Sequence, residues 1–467
     1  MKKLNNKHIV VGFLFLIIVL HILVLSRLIF FPYPELFIYP YLTANGLLPY
    51  EQILDQHFPG LMFFPINLYS LDMRTPEIAR FWQYGIILFT HLFIYVVAKK
   101  LFKSRNWALL VNLLFLLWQP FFEGYVLWID SLISLFLLPS FYFLLEWRDK
   151  KQASKLFLSG LFLGIALLFK QVVLPLVFLV GLFVWYDSKK FKKILPLFFG
   201  FALPTVLMLI HIYSIGVWKD FIYWTVTFNL TTFSRMGRKI PDMVGLIKSS
   251  PVFLLAGIAW IVVLLKTRKF KNKLGNTHWL LGIFFVGSLV FTYARFDFIH
   301  LQPALPFAIL ILVFTIRNFF KKGASVIISI YVLASIVVLF SFYKNHVGNR
   351  VLFFGEFESR LADKVQQHVG KGDIIFALGT TPHLYQLTNT LPPGNVFVFQ
   401  FPWFMIEAEE RVLTGIINDP PKLVVRDRGA NTSGLNLVSY MPNINQYVED
   451  NYVVVDRVDG VEIMAME

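Results

Sequence analysis

The chain has 467 residues, of which 57% are hydrophobic and only 15% charged; a soluble domain carries about 25% charged residues, so a wholly water-soluble protein is excluded. The formal net charge is +15, but the basic residues sit in short clusters between apolar runs, as they do beside membrane spans, and no nucleic-acid partner is expected. Cysteine is absent, which excludes disulfides and thiolate metal sites.

The N-terminal MKKLNNK is followed by an apolar run over 8–30, roughly the 20 residues that cross a bilayer. It is longer than a signal-peptide core and lacks a small-residue cleavage site, so it reads as a retained first helix. The next segment, 31–78, is too apolar for a solvated linker. Its aromatic residues, among them Tyr33, Phe37, Tyr39, Tyr41, Tyr50, Phe63 and Tyr69, are of the kind that settle at headgroup level. Two short helices along the membrane surface are expected at 35–45 and 59–71, with turns at Gly46, Pro49, Pro59 and Gly60. Glu35, Asp55 and His57 are then polar groups held near the bilayer boundary, where a carboxylate can take a proton from an acceptor hydroxyl or amine. Capping a short helix or facing water is the plainer role for each.

Further spans are expected at 79–98, 106–122, 125–146, 155–169, 171–186, 194–214, 251–266, 277–294, 299–316 and 324–343, about eleven with the first. Every second loop is basic: Lys2, Lys3 and Lys7; Lys99, Lys100, Lys103 and Arg105; Arg148, Lys150, Lys151 and Lys155; Lys189, Lys190, Lys192 and Lys193; Lys266, Arg268, Lys269, Lys271 and Lys273; Arg317, Lys321 and Lys322. These loops and the N-terminus are therefore expected in the cytoplasm. The long non-helical segments, 31–78, 215–250 and everything after 344, fall on the opposite side. The chain thus divides into a transmembrane domain, 1–344, and a soluble extracytoplasmic domain, 345–467.

Within 345–467, strands are expected at 373–378, 396–400, 422–426, 452–455 and 460–464, and helices at 356–369, 405–417 and 443–450, a small α/β layer structure. Gly379-Thr380-Thr381-Pro382 follows a strand, as phosphate-binding turns do, but without a glycine-rich fingerprint it reads as an ordinary turn. The Asn229-Leu-Thr and Asn431-Thr-Ser glycosylation patterns are short enough to be accidental.

An acidic residue just after the first span, then A-x-G-x-x-P-Y, then D-x-H-x-P-G-L resembles the first outer loop of the GT-C class of integral-membrane glycosyltransferases, most closely the bacterial relatives of protein O-mannosyltransferases and lipid A aminoarabinose transferases. The matching residues are Glu35, Ala44, Gly46, Pro49, Tyr50, Asp55, His57, Pro59, Gly60 and Leu61. Gly160 and Gly164 followed by Lys170-Gln171 resemble the family's G-x-x-x-G helix that ends in a lysine at the outer face. RFDFIHLQPALP over 295–306 resembles its late arginine–histidine–proline segment, and Gly379, Pro382, Tyr385, Pro392 and Pro393 resemble its outer domain. Many members carry an Asp-Glu pair where this chain has Pro34-Glu35, which leaves one carboxylate at that point.

The resemblance implies transfer of a hexosyl or pentosyl group from a polyprenyl-phosphate sugar donor to a lipid, glycan or protein acceptor at the outer face of a prokaryotic plasma membrane. Glu35 is the first choice for the base and Asp55 the second. Asp130, an ionisable group in an apolar helix and so a functional candidate, is expected to position the acceptor. Lys170, Arg295, His300 and His57 are candidates to hold the donor phosphate. The plainer roles are a lysine snorkelling to headgroups, an Arg295–Asp297 pair and a structural histidine. Asp55, His57 and His300 lack a specific metal-ligand spacing, and neither a metal nor another cofactor is expected. A transporter or flippase of lipid-linked sugars is the alternative; it calls for internal repeats and broken helices in both halves, and no repeat is evident.

Overall fold

The computed structural model describes residues 6–60, 62–267, 273–320, 323–348, 350–432 and 434–467. Leu61 of the first-loop motif and the loop cations Lys2, Lys3, Arg268, Lys269, Lys271, Lys321 and Lys322 lie outside them. Among the described residues, those of 1–30, 80–207 and 239–350 form one compact unit, and those of 31–79, 208–238 and 351–467 form another. The first loop is thus grouped with the C-terminal residues, where a linear reading places it with 1–344.

The first unit is built from apolar helices, and the protein is a multi-pass membrane protein. Seven described helical segments are long and apolar enough to cross a bilayer: His8–Arg27, Pro76–Phe102, Ile129–Lys150, Gln171–Ser188, Leu195–Ser214, Met243–Leu265 and Ala324–His346. Four further expected spans correspond to shorter apolar helices, Arg105–Trp118, Ala153–Phe169, Thr277–Thr292 and Leu305–Phe319. The expected span 106–122 stops at Trp118 because Pro120 opens a π-helical turn with non-helical angles at Phe122 and Glu123. The expected span 299–316 starts only at Leu305, after a 3-10 turn, Phe298–Leu301. Pro303, which has no N–H to give a helix interior, separates the two.

Leu305–Phe319 is buried without a break from Leu305 to Thr315, as suits a helix that is hydrophobic on every side. The G-x-x-x-G segment has a direct packing role. A Cβ on Gly160 would stand 2.0 Å from the Leu197 carbonyl oxygen, and one on Gly200 would stand 2.0 Å from that of Phe157. The helices Ala153–Phe169 and Leu195–Ser214 therefore meet backbone to backbone, the close approach small residues allow in membranes.

In the second unit a four-stranded sheet runs in the order Ile375–Leu378, Leu423–Arg426, Val461–Met466, Tyr452–Val458. Its first pair is parallel and the others antiparallel. Helices Glu356–Gln366, Pro402–Asn418 and Pro442–Asn451 accompany it, which is the small α/β structure expected. The segment expected as a strand at 396–400 forms only Phe397–Val398, and it pairs in parallel with Ile53–Leu54 of the first loop instead of joining the sheet.

The first loop departs from a surface-lying pair of helices. One helix forms, Glu35–Ala44, but Glu35 to Leu42 are all buried, so it is a core element. Among the described residues of 59–71 the helical element is the 3-10 turn Leu68–Leu71, capped by Asn67; Pro65 supplies no N–H to a longer helix. Tyr39, Tyr50 and Phe37 are fully buried. Of the aromatic residues that suggested a headgroup location, Phe37, Tyr39, Tyr41, Tyr50 and Phe63 fill the core of this unit, while Tyr33 and Tyr69 are half-buried.

Candidate functional site

Each unit holds a cluster of buried ionisable side chains. In the first, Asp130 lies in the first turn of Ile129–Lys150, where the helix N-terminus favours a negative charge. Lys170 ends the helix Ala153–Phe169 in an extended conformation, ahead of the 3-10 turn Gln171–Val173. His300 sits on the 3-10 turn Phe298–Leu301. These helix ends and connecting turns bring the three side chains together. Lys170 Nζ donates to Asp130 Oδ2 over 2.6 Å, and His300 Nδ1 lies 3.1 Å from the same oxygen. Lys170 Nζ and His300 Nδ1 are 3.4 Å apart. Asp130 is fully buried, and its other oxygen, Oδ1, has no hydrogen-bond partner among the described residues.

The turn that carries His300 is held from both ends. Ile299 N–H donates to Glu123 Oε2 over 2.8 Å. The Gln302 side chain donates to the carbonyls of Gln119, at 3.0 Å, and of Phe122, and the Gln302 carbonyl accepts from Ser134 Oγ at 3.2 Å. Arg295 is engaged elsewhere: its Nε donates to Asp297 Oδ2 over 2.8 Å, and Lys239 donates to the other oxygen of Asp297. The plainer role expected for Arg295, a pair with Asp297, is the arrangement seen.

In the second unit, Glu35 opens the helix Glu35–Ala44 and is 7% exposed. Its Oε2 is buried without a hydrogen-bond partner among the described residues. Burial pushes its carboxyl up to about 8, and the nearby charge of Asp55 adds to the rise. Asp55, by contrast, is well bonded. Tyr39 OH donates to its Oδ2 over 2.8 Å, while His57 N–H, at 2.7 Å, and His57 Nδ1, at 3.0 Å, approach its Oδ1. Tyr50 OH donates to the His57 carbonyl over 3.0 Å. Tyr50 itself has φ 65, the left-handed conformation that costs a bulky residue energy.

The chemistry open to the two clusters differs. The Lys170 ammonium and the His300 imidazole, held side by side by a buried carboxylate, can donate hydrogen bonds to a phosphate oxygen. A buried carboxyl with one oxygen unbonded and a pKa near 8 can exchange a proton near neutrality. Among the described residues no three His, Asp or Glu side chains are grouped as metal ligands.

Sequence reasoning singled out Glu35, Asp55, His57, Asp130, Lys170, Arg295 and His300 but missed Tyr39, Tyr50, Glu123 and Gln302. Tyr39 was within reach: it stands four residues after Glu35, on the same face of one helix. Glu123 and Gln302 act through backbone groups far away in sequence, which no spacing reveals.

Comparison with known proteins bears out the expected likeness. Residues 66–215, which include Asp130 and Lys170, match the family model described as dolichyl-phosphate-mannose-protein mannosyltransferase. The fold is similar to that of ArnT from Cupriavidus metallidurans, whose structure holds undecaprenyl phosphate, with a TM-score of 0.62 and 14% identity over 99% of this chain and 98% of that one. It is also similar to the archaeal oligosaccharyltransferase AglB from Archaeoglobus fulgidus, solved with an inhibitory peptide and a dolichol-phosphate, with a TM-score of 0.55 and 9% identity over 99% of this chain and 74% of that one. No curated protein sequence matches the chain.

Proposed function

We propose that this protein is a membrane glycosyltransferase that moves a sugar from a polyprenyl-phosphate carrier to an acceptor at the outer face of the plasma membrane. The observation that carries the reading is the cluster of Asp130, Lys170 and His300. An ionisable group buried among apolar helices is costly and rarely kept without a use. Two of the three residues lie in the segment that matches the mannosyltransferase family, and ArnT and AglB, the similar folds, were solved with polyprenyl-type phosphates.

The roles follow from the chemistry. The Glu35 carboxylate takes the proton from the acceptor's nucleophilic group, with Asp55 the second choice for that role. The freed electron pair attacks the anomeric carbon of the donor sugar. The bond from that carbon to the phosphate oxygen breaks, and the polyprenyl phosphate leaves with its electrons. Lys170 and His300 donate hydrogen bonds to the leaving phosphate as negative charge grows on it, and Asp130, expected from the sequence to position the acceptor, here orients those two side chains. His57 and Arg295 remain candidates for the donor phosphate through their N–H donors. The reaction requires no metal or other cofactor. The basic loops support a cytoplasmic N-terminus and an extracytoplasmic domain at 345–467.

The test uses purified full-length protein in detergent with a polyprenyl-phosphate sugar. Sugar transfer with release of the carrier phosphate is expected, and Glu35→Gln or Asp55→Asn is expected to abolish it. Carrier movement across vesicles without transfer would point to a flippase instead.

A further inference from the structure

Between the spans Leu195–Ser214 and Met243–Leu265 the chain builds a further helical run, through Trp218–Ile222, Tyr223–Thr227, Asn229–Phe233 and Ser234–Met236. The two middle stretches are π-helical, and the wider turn keeps residues four apart near one side. One face is anchored within its own unit. The Phe228 ring stacks on Phe404 of the helix Pro402–Asn418 with centroids 5.1 Å apart, and Trp224 meets the same ring at 5.9 Å. Glu407 of that helix accepts from Tyr223 OH at 2.9 Å and from Thr232 Oγ1 at 2.6 Å.

The other face is an apolar stripe. Trp218, Ile222, Val226 and Leu230, each four residues from the next, are between 36% and 74% exposed. Lys219, Thr227 and Thr231, each one residue on from a member of the stripe, form an exposed polar shoulder with Arg235 beyond them, while Tyr223, the residue after Ile222, turns its hydroxyl to Glu407. The stripe begins four residues beyond Ser214, the end of a membrane span whose own apolar side chains Leu203, Leu207 and Ile210 are exposed.

We propose that this stripe is a membrane-binding face that lies in the boundary between headgroups and acyl chains on the side where Leu195–Ser214 ends. Three features select a lipid surface as the occupant. The stripe is tied by a short connection to a helix that already faces lipid. It starts with Trp218, a residue type enriched at this depth. Its shoulder carries Lys219 and Arg235, the cations that flank interfacial helices and meet lipid phosphates. With its other face locked on Phe404 and Glu407, the run fastens the helix Pro402–Asn418 to the bilayer. The exposed apolar area is thereby a tether for the outer part of the protein, independent of the transfer chemistry.

The chain has no cysteine, so a single introduced one carries a probe on the full-length protein. The variants Leu230→Cys, Thr231→Cys and Val453→Cys are labelled with an environment-sensitive fluorophore and reconstituted in vesicles of phosphatidylethanolamine and phosphatidylglycerol. Leu230 is on the stripe, Thr231 on its shoulder, and Val453 is exposed on the strand Tyr452–Val458. Lipids brominated near the headgroup are expected to quench the Leu230 label severalfold more than the Val453 label, with Thr231 between. Aqueous iodide is expected to give the reverse order. A Leu230 label as open to iodide as the Val453 label would overturn the proposal. So would a Leu230 label shielded from both quenchers, since that outcome assigns the stripe to a second copy of the chain or another protein.

Discussion

Lys170 Nζ stands 2.6 Å from Asp130 Oδ2, a carboxylate with no exposed surface that His300 also approaches. The three residues come from separate elements, and each marks the place where a helix begins, ends or gives way to a tighter turn. A buried ion pair contributes little to stability on balance, but removing one member leaves a charge without compensation. Lys170→Met is therefore expected to destabilise the protein by about 3–5 kcal/mol, read as a fall in melting temperature in detergent. The double variant Asp130→Leu, Lys170→Met is expected to regain much of that stability while staying inactive.

A pH profile tests the role of Glu35. Its carboxyl, raised to about 8 from the ordinary 4.5, is mostly protonated at neutral pH, and a base must be ionised. Transfer activity is expected to climb with pH and level off above about 8. Glu35→Gln is expected to abolish transfer at every pH. The sign for stability is the opposite. Below 4.5 the group is protonated both folded and unfolded and costs nothing. From 4.5 to about 8 only the folded state keeps the proton, so stability declines as pH rises through that window. Glu35→Gln is expected to flatten this decline in a melting series across pH.

Tyr39→Phe deletes the donor to Asp55 Oδ2 and keeps the ring packed between Phe63, Phe397 and Phe399. A buried carboxylate oxygen that loses its partner costs about 1–3 kcal/mol. The expected result is a stability loss of that size, together with reduced transfer if Asp55 must keep its orientation.

Gly160→Ala places a methyl group where the Leu197 carbonyl oxygen stands. The helices Ala153–Phe169 and Leu195–Ser214 must move apart, an overpacking cost of about 1–3 kcal/mol. Gly181→Ala, which meets nothing within 4 Å, is expected to change stability by less than about 0.5 kcal/mol. Parallel melting curves of the two variants check the difference.

The membrane helices were legible because long apolar runs have few other destinations, and the C-terminal strands because 375–378 and 423–426 are short β-branched or apolar runs set between turn residues. The fate of the first loop was not legible. Its aromatic residues suit a membrane surface and a protein core equally well by composition, and only the tertiary structure shows Tyr39 and Tyr50 buried. The parallel pairing of Ile53–Leu54 with Phe397–Val398 joins segments too far apart in sequence for any local pattern to announce. The same limit applies to the first cluster. Asp130, Lys170 and His300 each stood out as an ionisable residue beside an apolar run, but their partnership spans 40 and 130 residues from Lys170. Arg295 and Asp297 lie two positions apart, and there the simple local pair is what forms.

The most direct measurement follows a donor sugar labelled at its anomeric carbon while purified protein is incubated with the labelled polyprenyl-phosphate donor and an extract of cell-envelope acceptors. The account predicts the label covalently bound to an acceptor, with free polyprenyl phosphate formed in equal amount, and neither product with Lys170→Met. Label that stays on its carrier with the wild-type protein, or transfer undiminished in Lys170→Met, would contradict it.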